Sequence, residues 1–403
     1  MRILAQHGFG PGDKLLEGIR VGAIAGAVLS PRYLAPTRIR PQIDELTRSG
    51  VQCLVDPEFY AAELTTHESP NLGALEEWDY FRYPRRADLI SGGAVEETLR
   101  RSYATQADLN LREWIAPNVF VRNADSIDTA VAINFIAKAK SVATDFGDAP
   151  IFATLALHRD AVLSRRVFLD ILDTLTALDT PPDGYYLIVG SSETNSSGSQ
   201  IRSDLYTPQV ISAWMYANYV LSINGARVIN GYAHLLSPLL GACGAEASAS
   251  GWFSGLRKFC LDRYIRQQAG GRYPRIRYVS APLVANVLQT EYAAYREVVP
   301  EVENGLTTDA YYRDREPSRT EAAVQSWDAL SSLSGMLGSG DVFNDLAAFG
   351  GSLERARRLW EQIRASGFVN EIEPNLERIE AMSAGISLFS ELAEIRDPLK
   401  RGS

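Results

Sequence analysis

Short apolar runs, most of them followed by an amphipathic stretch, recur along the chain and limit its fold more than any other feature. The runs are 2–6, 24–29, 51–56, 118–122, 151–157, 184–190, 226–231 and 245–250, rich in Val, Ile, Leu and Ala. The stretches that read as helices are 12–20, 36–49, 125–146, 160–178, 207–223, 233–243 and 255–268. Strands that are apolar throughout, rather than alternating, belong to a parallel sheet covered on both faces. Eight of them predict an α/β fold, a (β/α)8 TIM barrel. A ninth run at 276–280 leaves the count open, and a doubly wound open sheet is the alternative. No Gly-x-Gly-x-x-Gly follows the first run, which argues against a dinucleotide-binding version of that alternative.

Two regions break the alternation. Residues 60–116 form a long insertion after strand three, rich in aromatic and basic residues (Trp78, Tyr80, Phe81, Tyr83, Arg85, Arg86, Arg100, Arg101, Trp114), and read as a lid or binding element. Beyond residue 290 the strand signal ends. Helices are expected at 320–337, 341–348, 352–366 and 371–395, with Gly350-Gly351 and Gly367 as breaks. The expected division is a barrel over 1–290, with 60–116 as its insertion, and a helical C-terminal region over 291–403.

The chain has 403 residues, a net charge of −9 and 46% hydrophobic residues, a globular composition. No run of about 18 apolar residues predicts a membrane span. Met1-Arg2-Ile3-Leu4 lacks the shape of a signal peptide, so a cytoplasmic location is expected. Cys53, Cys243 and Cys260 are too few and too scattered for a disulfide framework or a four-cysteine zinc site, and no metal or cofactor is expected. The acidic balance disfavours a general nucleic-acid coat, and the basic stretch 82–101 is the one segment suited to grip a strand.

Barrel chemistry sits at the C-terminal ends of the strands. That rule selects His7, Arg32 beside Ser30, Asp56 with Glu58 and Tyr60, Arg122 with Asn123, His158, Glu193, Tyr232 with His234, and Ser248 with Ser250, and the small, polar run that opens Gly190-Ser191 and carries Glu193 reads as an active-site loop. Each also has a plain structural reading: Asp56-Pro57 as a turn, Ser30-Pro31-Arg32 as a helix start, His158 and His234 as helix caps, Glu193 as a solvated loop residue. No Gly-x-Ser-x-Gly elbow and no phosphate-cradling lysine loop occurs.

Asp183-Gly184-Tyr185-Tyr186-Leu187-Ile188-Val189-Gly190-Ser191-Ser192-Glu193 resembles the strand of tRNA-guanine transglycosylases that opens Asp-Gly-Tyr/Phe and closes on small residues before Val-Gly-Glu. Arg227-Val228-Ile229-Asn230-Gly231, a helix, then Gly244-Ala245-Glu246-Ala247-Ser248-Ala249-Ser250 is similar in layout to that family's Arg-Tyr-Leu-Met-Gly, helix, Gly-Val-Asp-x-Phe-Asp-Cys. Leu54 to Phe59 resembles the strand bearing Thr-Asp-Ser-Gly-Gly-Phe, and Ile151 to Asp160 stands where the family has Ile-Val-Gln-Gly-Gly. The likeness spans roughly residues 50–265. It implies a pocket for a purine or 7-deazaguanine base and cleavage or exchange of that base's link to a nucleic acid or other carrier. A modification or antiphage defence setting goes with that reading, while the helical C-terminal region is expected either to pack on the barrel or to pair two copies in a homodimer.

The departures bear on chemistry. Ala249 stands where the family's nucleophilic aspartate is, the zinc module is missing, and the base-reading glutamine falls near Ala156. Asp56 is the family acid–base residue that remains. An enzyme reading gives Asp56 acid–base work, with Glu193 or Glu246 positioning water. Arg32, Arg122, Asn123, His158, Gly190, Ser191, His234 and Ser250 then line the ligand, and Tyr60, Tyr185 or Tyr232 stacks on the base. The alternative is a catalytically degenerate barrel that senses a base or binds a protein. An unrelated sugar or phosphate-ester barrel enzyme, including a glycosidase built on Asp56 and Glu193, is a third reading.

Overall fold

The computed structural model describes residues 1–8, 13–90, 92–192, 203–266 and 275–400, with Arg86 described in its backbone only. The expected strands form: β1 (Arg2–His7), β2 (Gly26–Leu29), β3 (Gln52–Val55), β4 (Trp114–Ala116), β5 (Phe120–Val121), β6 (Ile151–His158), β7 (Gly184–Gly190), β8 (Arg227–Gly231) and β9 (Ala247–Ser250). All pair in parallel, in the order β3-β2-β1-β9-β8-β7-β6-β4, with β5 also on β6. β4 and β5 are the two halves of one barrel strand, so the architecture is an eight-stranded TIM barrel, nearly closed.

The split in the fourth strand has a local cause. Pro117 has no N–H for the ladder. Asn118 spans the gap: its Nδ2 donates to the Thr154 carbonyl at 2.6 Å, while the Thr154 hydroxyl donates to the Ala116 carbonyl at 2.6 Å. The run 276–280 is not a barrel strand. It forms β10 (Arg277–Ser280), paired antiparallel with β11 (Ala285–Leu288) outside the barrel.

Parallel pairing puts partnered residues on one face, and the register therefore assigns the interior. Gln6, Val28 and Leu54 share a face, as do Leu4 with Ala249, Tyr186 with Ile229, and Phe120 with Ala156. Tyr186 donates to Gln6 Oε1 at 3.2 Å although β7 and β1 are not neighbours, so this bond crosses the barrel and marks that face as inward. Gly231 is small because a Cβ there would lie 2.6 Å from the Tyr186 hydroxyl.

Most expected helices form. Pro36 and Pro208 open the helices Pro36–Arg48 and Pro208–Ile223, where a proline loses no helical hydrogen bond. About half of the 60–116 insertion is ordinary barrel: the helix Gly93–Asp108 packs on Ile127–Ala143, and β4 begins at Trp114. Its basic side chains in 82–101 are largely neutralised on the surface, with Arg82 on Asp79, Arg85 on Asp88, Arg100 on Asp145 and Arg101 on Glu97. Within its described part, to residue 266, the helix expected over 255–268 is a short helix Ser254–Arg257 followed by a 3-10 turn Leu261–Tyr264.

The C-terminal helices pack on the barrel rather than apart from it. Arg319–Gly335 lies on Asp13–Arg20 and β1, and Ile372–Leu392 lies along Pro208–Ile223. A capping box at Ser318 and Glu321 starts the first. Gly350-Gly351 does not break Val342–Ala365; Gly350 instead admits Leu399, whose Cδ2 would be 2.2 Å from a Cβ there.

At the N-terminal end of the barrel, Arg227 is held by Glu246 and Glu113, Arg2 also pairs with Glu246, and Glu113 accepts from Gln52. These contacts bridge β3 and β4, which have no ladder between them. Arg227→Met is expected to lower unfolding stability by about 1–3 kcal/mol in urea titrations, from lost bonds to charged partners on a half-buried group.

Candidate functional site

β3 ends at Val55 and delivers Asp56 to the C-terminal mouth of the barrel, fully buried. Its Oδ1 accepts from the Glu58 backbone N–H at 2.9 Å, which turns the chain and holds Glu58 in a left-handed conformation at φ 49°. Its Oδ2 accepts from the Tyr60 hydroxyl at 2.7 Å. Glu58 is also buried and accepts four hydrogen bonds: from the Ser30 hydroxyl at 2.7 Å, the Arg32 N–H at 3.0 Å, Arg263 Nη2 at 2.9 Å and the Tyr264 hydroxyl at 2.7 Å.

These surroundings divide the two acids. Glu58 faces a guanidinium and three further donors. Burial and the neighbouring Glu58 charge push Asp56 up to about 7, against the opposing pull of its two hydrogen bonds and Arg263. A carboxyl raised into the neutral range thus sits two residues from one that is ion-paired with Arg263.

The mouth is closed by the chain that follows β9. Phe259 sits over the barrel axis, 4.9 Å edge-on from Tyr60, 5.4 Å from Phe120 and 5.4 Å from Tyr232. Its backbone bridges to Gly190, and its carbonyl accepts from the Ser191 N–H at 2.8 Å. Gly190 is required there, since a Cβ would lie 2.6 Å from Phe120 and 3.1 Å from Phe259. Arg263 reaches back to Glu58, and Arg32 clamps the cover through the Arg263 carbonyl at 2.7 Å and stacks on Tyr264 at 4.9 Å. The front of the 60–116 insertion joins in: Pro70 bridges to Ile265, and the Asn71 N–H donates to the Tyr264 carbonyl at 2.7 Å.

A second opening lies beside the mouth, against Tyr232, and encloses about 570 Å³ including its open side. Tyr232, His234, Arg257, Lys258, Asn286 and Arg378 are among its walls. Tyr232 and His234 both have left-handed backbones, at φ 59° and 41°. Three of the seven non-glycine residues of this kind among those described (Glu58, Tyr232, His234) therefore lie at the C-terminal face, where strained backbone often serves a site.

The expected residues scatter around these two places. Arg32, Asp56 and Tyr60 meet under the mouth. Tyr232 and His234 wall the side pocket; His234 Nδ1 is 3.2 Å from the Ser250 hydroxyl, and burial holds its ring neutral. His158 caps the helix Arg159–Leu163 through the Asp160 N–H and meets Ser192 at 3.0 Å, beside Gly190 and Ser191. Arg122 and Asn123 are exposed, with Arg122 on Glu63 at 2.9 Å. Glu193 lies outside the described residues.

Two assignments need correcting. Tyr185 faces outward, its hydroxyl on the Leu175 carbonyl of a surrounding helix at 3.3 Å, and Tyr186 is the inward tyrosine of β7. Glu246 precedes β9 and sits at the opposite end of the barrel, bound to Arg2 and Arg227, so it positions no water at the mouth. Ala249 faces the interior beside Leu4 and supplies no carboxylate. Arg257, Arg263 and Arg378 are the residues sequence reasoning missed; an arginine pair at 257 and 263, just past the last barrel strand, was the available signal for two of them.

Among the described residues no group of three or more His, Cys, Asp or Glu side chains is placed to hold a metal, and no helix is long and apolar enough to cross a membrane. No protein-family model matches the chain, and no curated protein does. A dihydrodipicolinate synthase from Oceanobacillus iheyensis is among the solved structures it matches, at 11% identity and a TM-score of 0.21 over 95% of this chain and 94% of that one. A likeness this low carries no argument about substrate or residues; the barrel itself is read from its strand order.

Arg263→Met is expected to destabilise the protein by about 3–5 kcal/mol, because it leaves Glu58 as a buried charge without its ion partner. The double variant Arg263→Met/Glu58→Gln is expected to recover part of that loss in chemical denaturation, and a loss that is simply additive would contradict the pairing.

Proposed function

We propose that this chain is a transglycosylase-like barrel that binds a purine or 7-deazaguanine base and cleaves or exchanges its link to a nucleic acid or other carrier. The observation that carries the reading is Asp56 beside Glu58: burial and the Glu58 charge raise Asp56 to about 7, while Glu58 lies 2.9 Å from Arg263. Asp56 is the proton donor to the leaving base as its bond to the carrier breaks. A base reaching Asp56 would take the slot now filled by the Phe259 ring between Tyr60, Phe120 and Tyr232. The Gly190–Ser191 backbone and His158 border that slot, and Arg122 and Asn123 stand on the exposed rim, where a carrier would meet them. Glu193 is assigned, from the sequence, to hold the attacking water.

A second reading is a barrel that binds a base without turnover. It is favoured by Ala249 in the inward nucleophile position and by the fully buried state of Asp56.

Base-dependent thermal shifts come first, with guanine, adenine and 7-deazaguanines on the intact chain. A ligand at 100 times its dissociation constant adds about 2.7 kcal/mol. Base release from a nucleoside or oligonucleotide that disappears in Asp56→Asn supports the enzyme. Binding without product under every condition supports the sensor, and no response to any base removes both. Because burial raises the Asp56 value from its usual range to about 7, the folded state takes up a proton between those limits and loses stability as pH rises through them. Asp56→Asn is therefore expected to gain melting temperature relative to the parent at pH 8 more than at pH 5, and an unchanged difference would argue that Asp56 is ionised throughout.

A further inference from the structure

The walls of the side pocket carry buried positive charge that the described residues do not neutralise. Arg257 and Arg378 are 7% and 4% exposed, and neither has a carboxylate within 4 Å among the described residues. Arg257 instead donates to the Gly251 carbonyl and the Ser326 hydroxyl, and Arg378 to the Val284 carbonyl and the Asn375 side chain. Arg277 is buried close by, and its charge acts on both of them. Its ion partner is Glu371 at 3.0 Å. Glu291, beside Glu371, is pushed up to about 7 by burial and by that neighbour, so it adds at most part of a charge. Three guanidiniums thus share little more than one carboxylate. Burial together with Arg277 pulls Arg257 down to about 9, the direction expected when a cation lacks a counter-charge.

Polar atoms in the same walls lack partners. His234 Nε2, Asn286 Oδ1 and Arg378 Nε are buried without a hydrogen bond. In the tautomer in which the Ser250 hydroxyl donates to Nδ1, the neutral His234 ring carries its proton on Nε2 and offers a further donor. The pocket is walled by segments after the sixth, seventh and eighth barrel strands, and the loops after the last two are a usual place for phosphate in this architecture. A guanidinium can donate two N–H bonds side by side to two oxygens of one phosphate.

We infer that this pocket, walled by His234, Arg257, Asn286 and Arg378 with Tyr206 and Lys258 at its sides, binds the terminal phosphate of a small phosphomonoester. A dianion matches the excess of about two positive charges, whereas a carboxylate would leave one uncompensated. The inference is independent of the role given to Asp56.

The test is thermal shift and calorimetric titration of the intact chain with inorganic phosphate, glycerol 3-phosphate, glycerol, sodium chloride at matched ionic strength, and a 5′-phosphorylated oligonucleotide. Phosphate and glycerol 3-phosphate are expected to stabilise the protein saturably, and glycerol and chloride not to. Arg257→Gln and Arg378→Gln are each expected to weaken phosphate binding at least about tenfold. Each should leave the ligand-free protein as stable as before or more so, since each removes an uncompensated buried charge. If neither arginine variant folds, Lys258→Ala takes their place with the same weakening of binding expected. No saturable response of the parent chain to phosphate or glycerol 3-phosphate overturns the inference, as does a folded variant set that binds like the parent. Tighter binding of the oligonucleotide than of glycerol 3-phosphate overturns the small-molecule source and assigns the pocket to a nucleic-acid end.

Discussion

The Glu58 carboxylate is the contact on which the arrangement of the barrel mouth depends. One buried group gathers the loop after β2 through Ser30 and Arg32, the turn after β3 through its own backbone, and the covering segment after β9 through Arg263 and Tyr264. A charge in an apolar interior demands such company, and the demand fixes three chain segments that are far apart in sequence. It also acts on Asp56. The negative charge next door is one of the two main reasons that Asp56 holds its proton, so the cover that seals the mouth and the acid beneath it are parts of one electrostatic unit. Any movement that withdraws Arg263 from Glu58 changes the charge environment of Asp56 as well.

The mouth and the side pocket meet at Tyr232. Its ring touches Phe259 on one side and lies under the Arg263 guanidinium at 5.1 Å, while it also walls the pocket that holds Arg257 and Arg378. A phosphate held by those arginines and a planar ring at the Phe259 position would lie on the two sides of one tyrosine. The two proposals thus describe compatible parts of a single ligand, although each rests on its own residues and is tested by itself.

The strands were legible because a parallel barrel buries both faces of each strand, which leaves unbroken apolar runs such as 151–157 and 184–190. The same property hid the inside from the outside. Without alternation nothing in the sequence separates Tyr185 from Tyr186; in the fold the bond to the Leu175 carbonyl marks the first as outward and the cross-barrel bond to Gln6 marks the second as inward. Asp56, Arg32 and Tyr60 were legible from the rule that chemistry follows the strand ends, and Glu246 was misplaced because it borders the start of its strand. The cover was hidden for another reason. Residues 60–116 drew notice by their length and composition, yet most of the sealing of the mouth falls to a short stretch around Phe259 and Arg263. Arg378 comes to the pocket from a helix more than a hundred residues past the barrel, a proximity that only tertiary packing creates.

A closed barrel has no free strand edge, but this one keeps a seam. β3 is hydrogen-bonded on one side only, to β2, and faces β4 across a gap spanned by Gln52 and Glu113 and bordered by a water-accessible cavity that Cys53 and Val51 help to line. Seven of the eight inter-strand joints are zipped by backbone amides; the eighth is laced by side chains. Such a cylinder behaves like a split ring. Parting the strands at that line would break no ladder, and the line runs along the strand whose end carries Asp56. Solvent exchange at the backbone of 52–55 would then report the girth of the barrel.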